Sequence, residues 1–473
     1  MYKKASSLFH STPSLSWRVR GGSAILRQAL ALLREERLFS GIYITGTALA
    51  IAFTMVMAVV YYIKLAPIYP EPNRARTVYF NTIQLVTTDE NGRPTGMTGF
   101  SFSEKAFEEW FRGSKNVEYC APTLLAGGSG RIQEYSIEYA VKGKDDYMEV
   151  VTNYTNADFF RIYEYDFIEG RPLSDKEVEN HEMVCVISDD FAEHYFGKGN
   201  SVLGRMVEME SVGLTRIVGV VRATSRLTPD TYAQVFKPYT LRKTAWNGKP
   251  YAGMYDIVAT VKNDEQLQAL KREIDNIAAR LTLSGEMNAS WLSDQKQTVC
   301  LTSGMETHPM HVLRQSVKAD SLWGSSNWQV LKHYAALLFI LLFVPALNLC
   351  GIVAGRMERR SAEMAVRKTF GARRSTLLWQ VVTENLVLTT IGGILGLLAS
   401  WFAVFEMRTW LFGMFFDSSA VASSPIVTGE MLFAPLLFVG AFAAILLLNL
   451  LSALLPALLS LRKPIVESMM EKR

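Results

Sequence analysis

Four uncharged apolar runs limit what this chain can fold into. They cover residues 42–63, 334–353, 385–405 and 431 to about 455, and none contains a Lys, Arg, Asp or Glu. A helix needs about 20 residues to cross the hydrocarbon core of a bilayer, and each run has about that length. Inside a membrane the backbone finds no water to bond, so such a run closes its own hydrogen bonds as a helix. The block between the first two runs has no comparable stretch and reads as a water-soluble domain. The expected fold is an α-helical membrane protein with four transmembrane helices in a one-plus-three layout. A large α+β outer domain is inserted between helices 1 and 2.

The reading divides the chain as follows. Residues 1–41 form a cytoplasmic segment with an amphipathic helix, and 42–63 the first membrane helix. The outer α+β domain spans 64–332, followed by a second membrane helix over 333–355. A cytoplasmic loop covers 356–380, a third helix 381–405, a short outer loop 406–430, a fourth helix 431–455 and a cytoplasmic tail 456–473. Apolar residues make up 49% of the chain and mean hydropathy is +0.11, which suits a part-membrane, part-soluble protein. A net charge of +4 is too small to suggest nucleic acid.

Orientation follows from where the basic residues lie. The first segment carries Lys3, Lys4, Arg18, Arg20, Arg27, Arg34 and Arg37. The loop after the second helix carries Arg356, Arg359, Arg360, Arg367, Lys368, Arg373 and Arg374, and the tail adds Arg462, Lys463, Lys472 and Arg473. The loop between helices 3 and 4 sets Arg408 against Glu406, Asp417 and Glu430. Both termini are therefore expected in the cytoplasm. The first run is longer than the 7–15 apolar residues of a signal peptide, with about forty residues before it, and reads as an uncleaved anchor. Before it, Ile25, Leu26, Ala29, Leu30, Leu33 and Leu38 form a helical stripe suited to the membrane interface or to an extension of helix 1.

In the outer domain Pro67, Pro70 and Pro72 suggest a stiff extended exit from helix 1. Segments rich in β-branched and aromatic residues predict strands over 77–80, 136–141, 148–152, 183–187, 216–221 and 255–261. Helices are expected over 103–111 and 264–281. Leu267, Leu270, Ile274, Ile277 and Leu281 share one face of the second, and Asn263 with Gln266 has the spacing of an N-cap and its N3 partner.

The chemistry-bearing patterns are few. The chain has no G-x-x-x-x-G-K-[ST], no G-x-S-x-G, no H-E-x-x-H and no Cys-x-x-Cys. A Cys120–Cys300 bridge stays open, while Cys185 reads as a buried thiol. His308 and His311 flank Pro309 with no carboxylate cluster nearby in sequence, and read as surface or loop histidines rather than a metal pair. Ser188 or Asp189 is placed to cap a helix near Phe191. Pro345, Asn348 and Asn449 are polar or kinking residues within the apolar runs, read as packing features.

The informative stretch is the basic loop, from Met357 to Arg373. As a helix it stacks Arg359, Glu363 and Arg367 at four-residue intervals, which supports a short helix. Met364, Ala365 and Phe370 give it an apolar complement, and Gly371 is placed to end it in the left-handed conformation.

Residues 360–374 carry an R-x-x-E-x-A-x-R-K-x-x-G-A-x-R pattern, followed by Glu384 at the start of the third run. This resembles the signature of macrolide-exporter and lipoprotein-releasing type ABC permeases, the MacB/FtsX-type superfamily. Asn156-Ala157-Asp158-Phe159-Phe160 with Glu169-Gly170-Arg171-Pro172 resembles that family's periplasmic N-x-x-F-F…G-R motif. Residues 184–188, Phe196-Gly197, Leu203-Gly204 and Val218-Gly219-Val220-Val221 are similar to its next strand–helix–strand segment, and Pro464-Ile465-Val466-Glu467 to its ending.

The resemblance implies a mechanotransmission permease subunit in the bacterial inner membrane, with its large domain periplasmic. It implies a separate ABC ATPase and a second permease subunit, in a homo- or heterodimer, and leaves room for a periplasmic adaptor or outer-membrane factor. Beyond membrane lipid, no cofactor, metal or nucleic acid is called for. Glu358, Arg359, Arg360, Glu363, Arg367, Lys368, Gly371 and Ala372 would meet the ATPase. ATP hydrolysis there would move the outer domain and drive export or extraction of a peptide, a drug-like molecule or a lipid-linked species. The alternative is a non-transporting regulator of an envelope hydrolase. The stretch 285–323 has no counterpart in the resemblance.

Overall fold

Every apolar run lies in helix wherever its backbone is described. In the computed structural model, the described residues are 37–81, 83–88, 94–124, 136–142, 146–244, 250–284, 298–302, 304–316, 327–359, 361–407, 429–432 and 435–462. The interfacial stripe before residue 37 and the C-terminal tail after 462 lie outside them. Helix α1 spans Arg37–Leu65. The last four labelled helices are α5 (Asn327–Arg359), α6 (Ser361–Thr369), α7 (Arg374–Glu406) and α8 (Pro435–Arg462). Among the described residues, three stretches are long and apolar enough to cross a membrane: Ser40–Leu65, Arg374–Glu406 and Phe438–Leu458. The second apolar run lies wholly within α5.

The chain divides into two units. One combines the chain up to Val59 with Leu331–Arg408 and Ala434–Arg473, and the other combines Val60–Val330 with Thr409–Phe433. In the first unit, α1 lies against the glycines of α7. A Cβ on Gly392 would come within 2.9 Å of Thr47 Cβ, and one on Gly396 within 2.6 Å of the Ala48 carbonyl oxygen. A Cβ on Gly393 would meet the Phe442 ring of α8 at 2.3 Å. Glycine is a poor helix former, but it lets two backbones approach where apolar burial gives little drive. Tyr43 and Thr389 join their hydroxyls at 3.1 Å beside this seam.

The second unit is α+β. Strands β1 (Thr77–Phe80), β4 (Tyr119–Thr123), β13 (Asp256–Thr260) and β15 (Met305–Thr307) form one sheet in the order β15-β1-β13-β4. A second sheet runs β12-β3-β2-β14, from β2 (Ile83–Thr88), β3 (Pro94–Phe102), β12 (Ala252–Gly253) and β14 (Thr298–Thr302). The third contains β5 (Ile137–Val141), β6 (Tyr147–Thr155), β7 (Phe167–Gly170), β8 (Val184–Ser188), β9 (Met206–Met209), β10 (Gly213–Val221) and β11 (Val235–Pro238). Its order is β7-β10-β8-β11-β6-β5-β9, and β9 pairs again with β10. The first half of β10 serves β9 and the second half serves β8, so six strands close on themselves and leave β7 outside the ring. Closure removes the open edges that strands otherwise expose.

Alternation along these strands fills the ring. Ala140, Val150, Cys185, Ile187, Val207, Met209, Ile217 and Val235 are buried together. At one end Lys237 donates to Glu138 at 2.6 Å, and Tyr154 donates to the same carboxylate at 2.7 Å. Helix α2 (Asp189–Phe196) follows β8 and leads to β9, which turns into β10, and β8 and β10 run parallel. Asp189 is not the expected N-cap: its Oδ1 accepts from the backbone of Asp190 and Ala223 at 2.9 and 2.8 Å, and Ser188 makes no side-chain cap. Helix α3 (Asp264–Ser284) starts as expected, with Gln266 N–H donating to Asn263 Oδ1 at 2.9 Å.

The N-x-x-F-F…G-R residues have physical reasons for their identity. Asn156 donates to the Cys120 carbonyl at 2.9 Å and accepts from Phe159 N–H at 3.2 Å. Phe159 and Phe160 pack into the aromatic core with Tyr165 and Phe236. Gly170 has φ +74, and a Cβ there would lie 2.3 Å from the Val218 carbonyl oxygen, so only glycine fits. Arg171 holds Glu177 through two bonds of 2.8 and 2.7 Å, and Glu177 completes a capping box with Ser174. Hydrogen bonding from Arg171 brings the Glu177 carboxyl down to about 2.

Two expectations are corrected and one open question is closed. The proline-rich exit is not extended: it folds into turns, with Glu71 N–H donating to the Ile68 carbonyl at 2.6 Å. Cys120 is a free buried thiol, and burial pushes it up to about 12. His308 and His311 are not surface residues. They lie on α4 (His308–Ser316), each 1% exposed, and His311 faces both Asp230, 81 residues away, and Glu306, just before the helix.

Candidate functional site

The basic loop is helical on either side of Arg360 and is followed by a second long helix, α7. Helix α5 is described up to Arg359 and α6 from Ser361, with Arg360 between them outside the described residues. The C-terminus of α6 closes as the glycine predicts. Gly371 has φ +88. Its N–H donates to the Lys368 carbonyl at 3.0 Å, and Ala372 N–H donates to the Arg367 carbonyl at 3.0 Å, the two bonds of a Schellman motif. Helix α7 starts three residues later.

The two faces of α6 differ. Ala365 is buried, whereas Val366 is exposed and Phe370 is 88% exposed at the tip of the turn. Surface aromatics standing singly are ordinary, but this one sits at the capped turn, with exposed Arg373 and Arg374 following it in sequence.

Arg367 is half-buried and donates to Gln380 Oε1 at 2.8 Å. Gln380 in turn donates to Glu384 Oε1 at 3.1 Å. Glu384 is buried on α7, one residue before Asn385, whose amide donates to the Val381 carbonyl at 2.9 Å. A polar chain therefore runs from α6 to a buried carboxylate on α7. It brings Arg367 and Glu384 together through Gln380, which the sequence reading did not single out. An i, i+4 amide–carboxylate spacing on α7 was the available signal.

Lys368 sits in the last turn of α6, and Gly371 and Ala372 form the cap. Arg360 lies outside the described residues, as do the side chains of Glu358, Arg359 and Glu363. Pro345 and Asn348 fall within α5, and their side chains are likewise outside the described set. Asn449 is buried on α8. Among the described residues no group of three His, Cys, Asp or Glu side chains is arranged to hold a metal.

Comparison with known proteins addresses both units. Residues 40–277 match the MacB-like periplasmic core domain, and residues 335–465 match the FtsX-like permease C-terminal domain. The chain is 24% identical over 261 residues to the macrolide export ATP-binding/permease protein MacB of Acinetobacter baylyi, a match covering 55% of this chain and 35% of that one. It is 25% identical over 278 residues to the ABC transporter permease YvrN of Bacillus subtilis, covering 59% and 62% of the two chains. Both matches therefore span less than two thirds of the relative. The periplasmic region of MacB from Actinobacillus actinomycetemcomitans aligns over 51% of this chain and 94% of its own, at 14% identity and a TM-score of 0.31. With one domain type matched across the first half and the other across the second, the chain belongs to the MacB/FtsX-type family of ABC transporter permeases.

Proposed function

We propose that this chain is a mechanotransmission permease subunit of an ABC transporter in the inner membrane. In this reading it crosses the membrane four times, with both termini cytoplasmic and the α+β domain periplasmic. A separate ATPase docks on α6, and a second permease subunit completes the assembly. The observation that carries the proposal is the build of α6: a Schellman-capped helix, pinned to α7 through Arg367, Gln380 and Glu384, that presents Phe370 outward. A rigid lever with an exposed aromatic tip suits a partner that must push rather than merely bind. Phe370 would fill an apolar groove of the ATPase, and Glu358, Arg359, Arg360, Glu363, Lys368 and Arg373 would supply charged contacts around it. Movement of the outer domain would then drive export or extraction of a peptide, a drug-like molecule or a lipid-linked species.

The test is affinity purification of the tagged chain from gently solubilised native membranes, beside a Glu363→Lys, Arg367→Glu variant. A P-loop ATPase recovered with the wild type and lost with the variant is the expected result. A periplasmic adaptor or outer-membrane factor alongside it would favour export, and a cell-wall hydrolase would favour the regulatory alternative. Absence of any ATPase from the wild-type sample would overturn the proposal.

A further inference from the structure

The last turn of α1 ends in a network of buried charges that the proposed coupling site does not use. A helix leaves its final carbonyls without intrahelical partners. Here Arg74 Nη1 donates to the Ile63 carbonyl at 2.7 Å and also to the Ala66 carbonyl. His308 Nε2 lies 3.0 Å from the Lys64 carbonyl. A carbonyl can only accept, so Nε2 carries the proton and donates. That leaves Nδ1 to accept from the Tyr79 hydroxyl at 3.1 Å, and Tyr163 donates to Tyr79 at 3.4 Å. Burial lowers the proton affinity of the His308 imidazole, which agrees with this tautomer.

Each clamp is anchored behind. Arg74 Nε donates to Glu71 at 2.8 Å, and Glu71 accepts from the Thr231 hydroxyl at 2.8 Å. The Thr231 carbonyl accepts from Tyr165 at 2.6 Å. One helical turn after His308, the His311 ring stacks on Tyr79 with centroids 3.9 Å apart and planes 2° apart. Its Nε2 lies 3.2 Å from both oxygens of Asp230, and Nδ1 faces Glu306 at 3.7 Å. Asn81 Nδ2 is 2.9 Å from Nδ1, so a doubly protonated ring needs that amide turned to present its oxygen. Glu306 accepts from Arg314, and Arg314 Nη2 donates to Asn327 Oδ1 at 2.9 Å, at the first residue of α5.

Glu71, Asp230 and Glu306 face Arg74, His311 and Arg314, and burial raises the Asp256 carboxyl beside them well above the usual carboxylate range. Removing one member of such a set leaves an unpaired charge where water cannot reach it, so the set holds together as a unit.

We infer that Arg74 and His308 are positioning residues of a rigid joint. It makes the last turn of α1 one body with the core of the outer domain, and Arg314 extends it to the start of α5. The inference rests on the mechanotransmission reading, because it names where displacement of the membrane helices enters the outer domain. Folded turns at 66–73 in place of an extended linker support it: displacement of a gripped helix end is transmitted, whereas a slack connection would absorb it.

The experiment uses the full chain in nanodiscs with its co-purified ATPase. Amide hydrogen exchange is followed with and without ATP plus vanadate in wild type, His308→Ala, His308→Gln and Thr231→Val. In wild type, ATP is expected to alter exchange in β1 and β13. In His308→Ala, exchange of amides 62–66 should rise about tenfold, the scale of one lost buried hydrogen bond. ATP hydrolysis and protection of β8 should stay at wild-type level while the ATP response of β1 and β13 disappears. His308→Gln, which keeps a donor, should restore part of that response, and Thr231→Val should reduce it. A purely structural role would leave the ATP response intact in a variant that stays folded. An equal ATP response in wild type and His308→Ala would therefore overturn the joint. No ATP response in the wild type would overturn the joint together with the mechanotransmission reading.

Discussion

His308 donates through Nε2 to the main-chain carbonyl of Lys64, a residue 244 positions earlier in the chain. The bond caps a helix end with a side chain from the far side of the outer domain's sequence. The neighbouring His311 pairs with Asp230 and Glu306, and the two imidazoles shift in opposite directions from the ordinary value one helical turn apart. Burial alone would lower both. His308 meets a carbonyl and a hydroxyl, while His311 meets two carboxylates.

That contrast predicts a pH profile. Burial opposes charge on His311, but Asp230 and Glu306 outweigh it and push the ring up to about 10. A value raised on folding contributes stability in full below the ordinary imidazole value of about 6.5 and loses it as pH climbs towards 10. The Asp230 and Glu306 carboxyls are held low despite burial, so their share is present above the ordinary carboxylate range and fades in acid. Burial raises the Asp256 carboxyl well above the usual carboxylate range, so its contribution is fullest in acid and declines as pH rises. Thermal unfolding of the outer domain in the full chain should be most resistant near pH 5–6 and weaken steadily from about 6.5 to 10. Asp230→Asn should lower stability at pH 6 and flatten the alkaline slope; an unchanged slope would show that the pair does not govern it.

Lys237 is fully buried against Glu138 at the end of the closed sheet. Lys237→Met leaves a buried carboxylate with only Tyr154, Ser211 and the more distant Arg242 around it, and should cost about 3–5 kcal/mol in denaturant unfolding. The double change Lys237→Met, Glu138→Gln should recover most of that loss, because neither charge is then buried alone. A double variant as unstable as the single one would count against the pair as the cause.

Gly396→Val should separate α1 from α7. Its side chain begins 2.6 Å from the Ala48 carbonyl oxygen and 2.9 Å from Ile51 Cβ, and backbone cannot yield as a side chain can. A drop of several degrees in the melting temperature of the detergent-solubilised chain is expected. Gly440→Val, with no atom within 4 Å of its Cβ position, is the control and should change little. Equal effects at both sites would point to helix propensity rather than contact.

Phe370→Ser should leave the fold intact, since the ring is 88% exposed, yet reduce recovery of the ATPase at least tenfold in co-purification. Truncating a central aromatic anchor commonly costs about 2 kcal/mol or more of binding. Gln380→Leu should have a similar but smaller effect, by releasing Arg367 from Glu384. Undiminished ATPase recovery with Phe370→Ser would remove the ring from the interface.

Local sequence determined whatever depends on neighbours along the chain. Apolar runs of membrane length formed helices, because an uncharged backbone stretch has no other way to satisfy its bonds. Strand β1 lies at 77–80 as its β-branched and aromatic residues predicted, Asn263 caps α3, and Gly371 ends α6 in the left-handed conformation. These outcomes are settled within a few residues by propensity, periodicity and capping chemistry. Tertiary structure decided everything that needed partners from elsewhere. His308 and His311 looked solvent-facing because a lone Glu306 is the one carboxylate near them in sequence; Asp230 and Asp256 lie far off, and only the packing of α4 against β1 and the loop after β10 brings those groups together. Closure of the third sheet depends on β10 splitting its two halves between β9 and β8, which no local pattern encodes. Arg367, placed by its charge pattern for an external partner, also donates to Gln380, a neighbour that pattern does not encode. In each case, desolvation made the isolated polar group costly, and the distant partner that offsets the cost is visible only once the chain has folded.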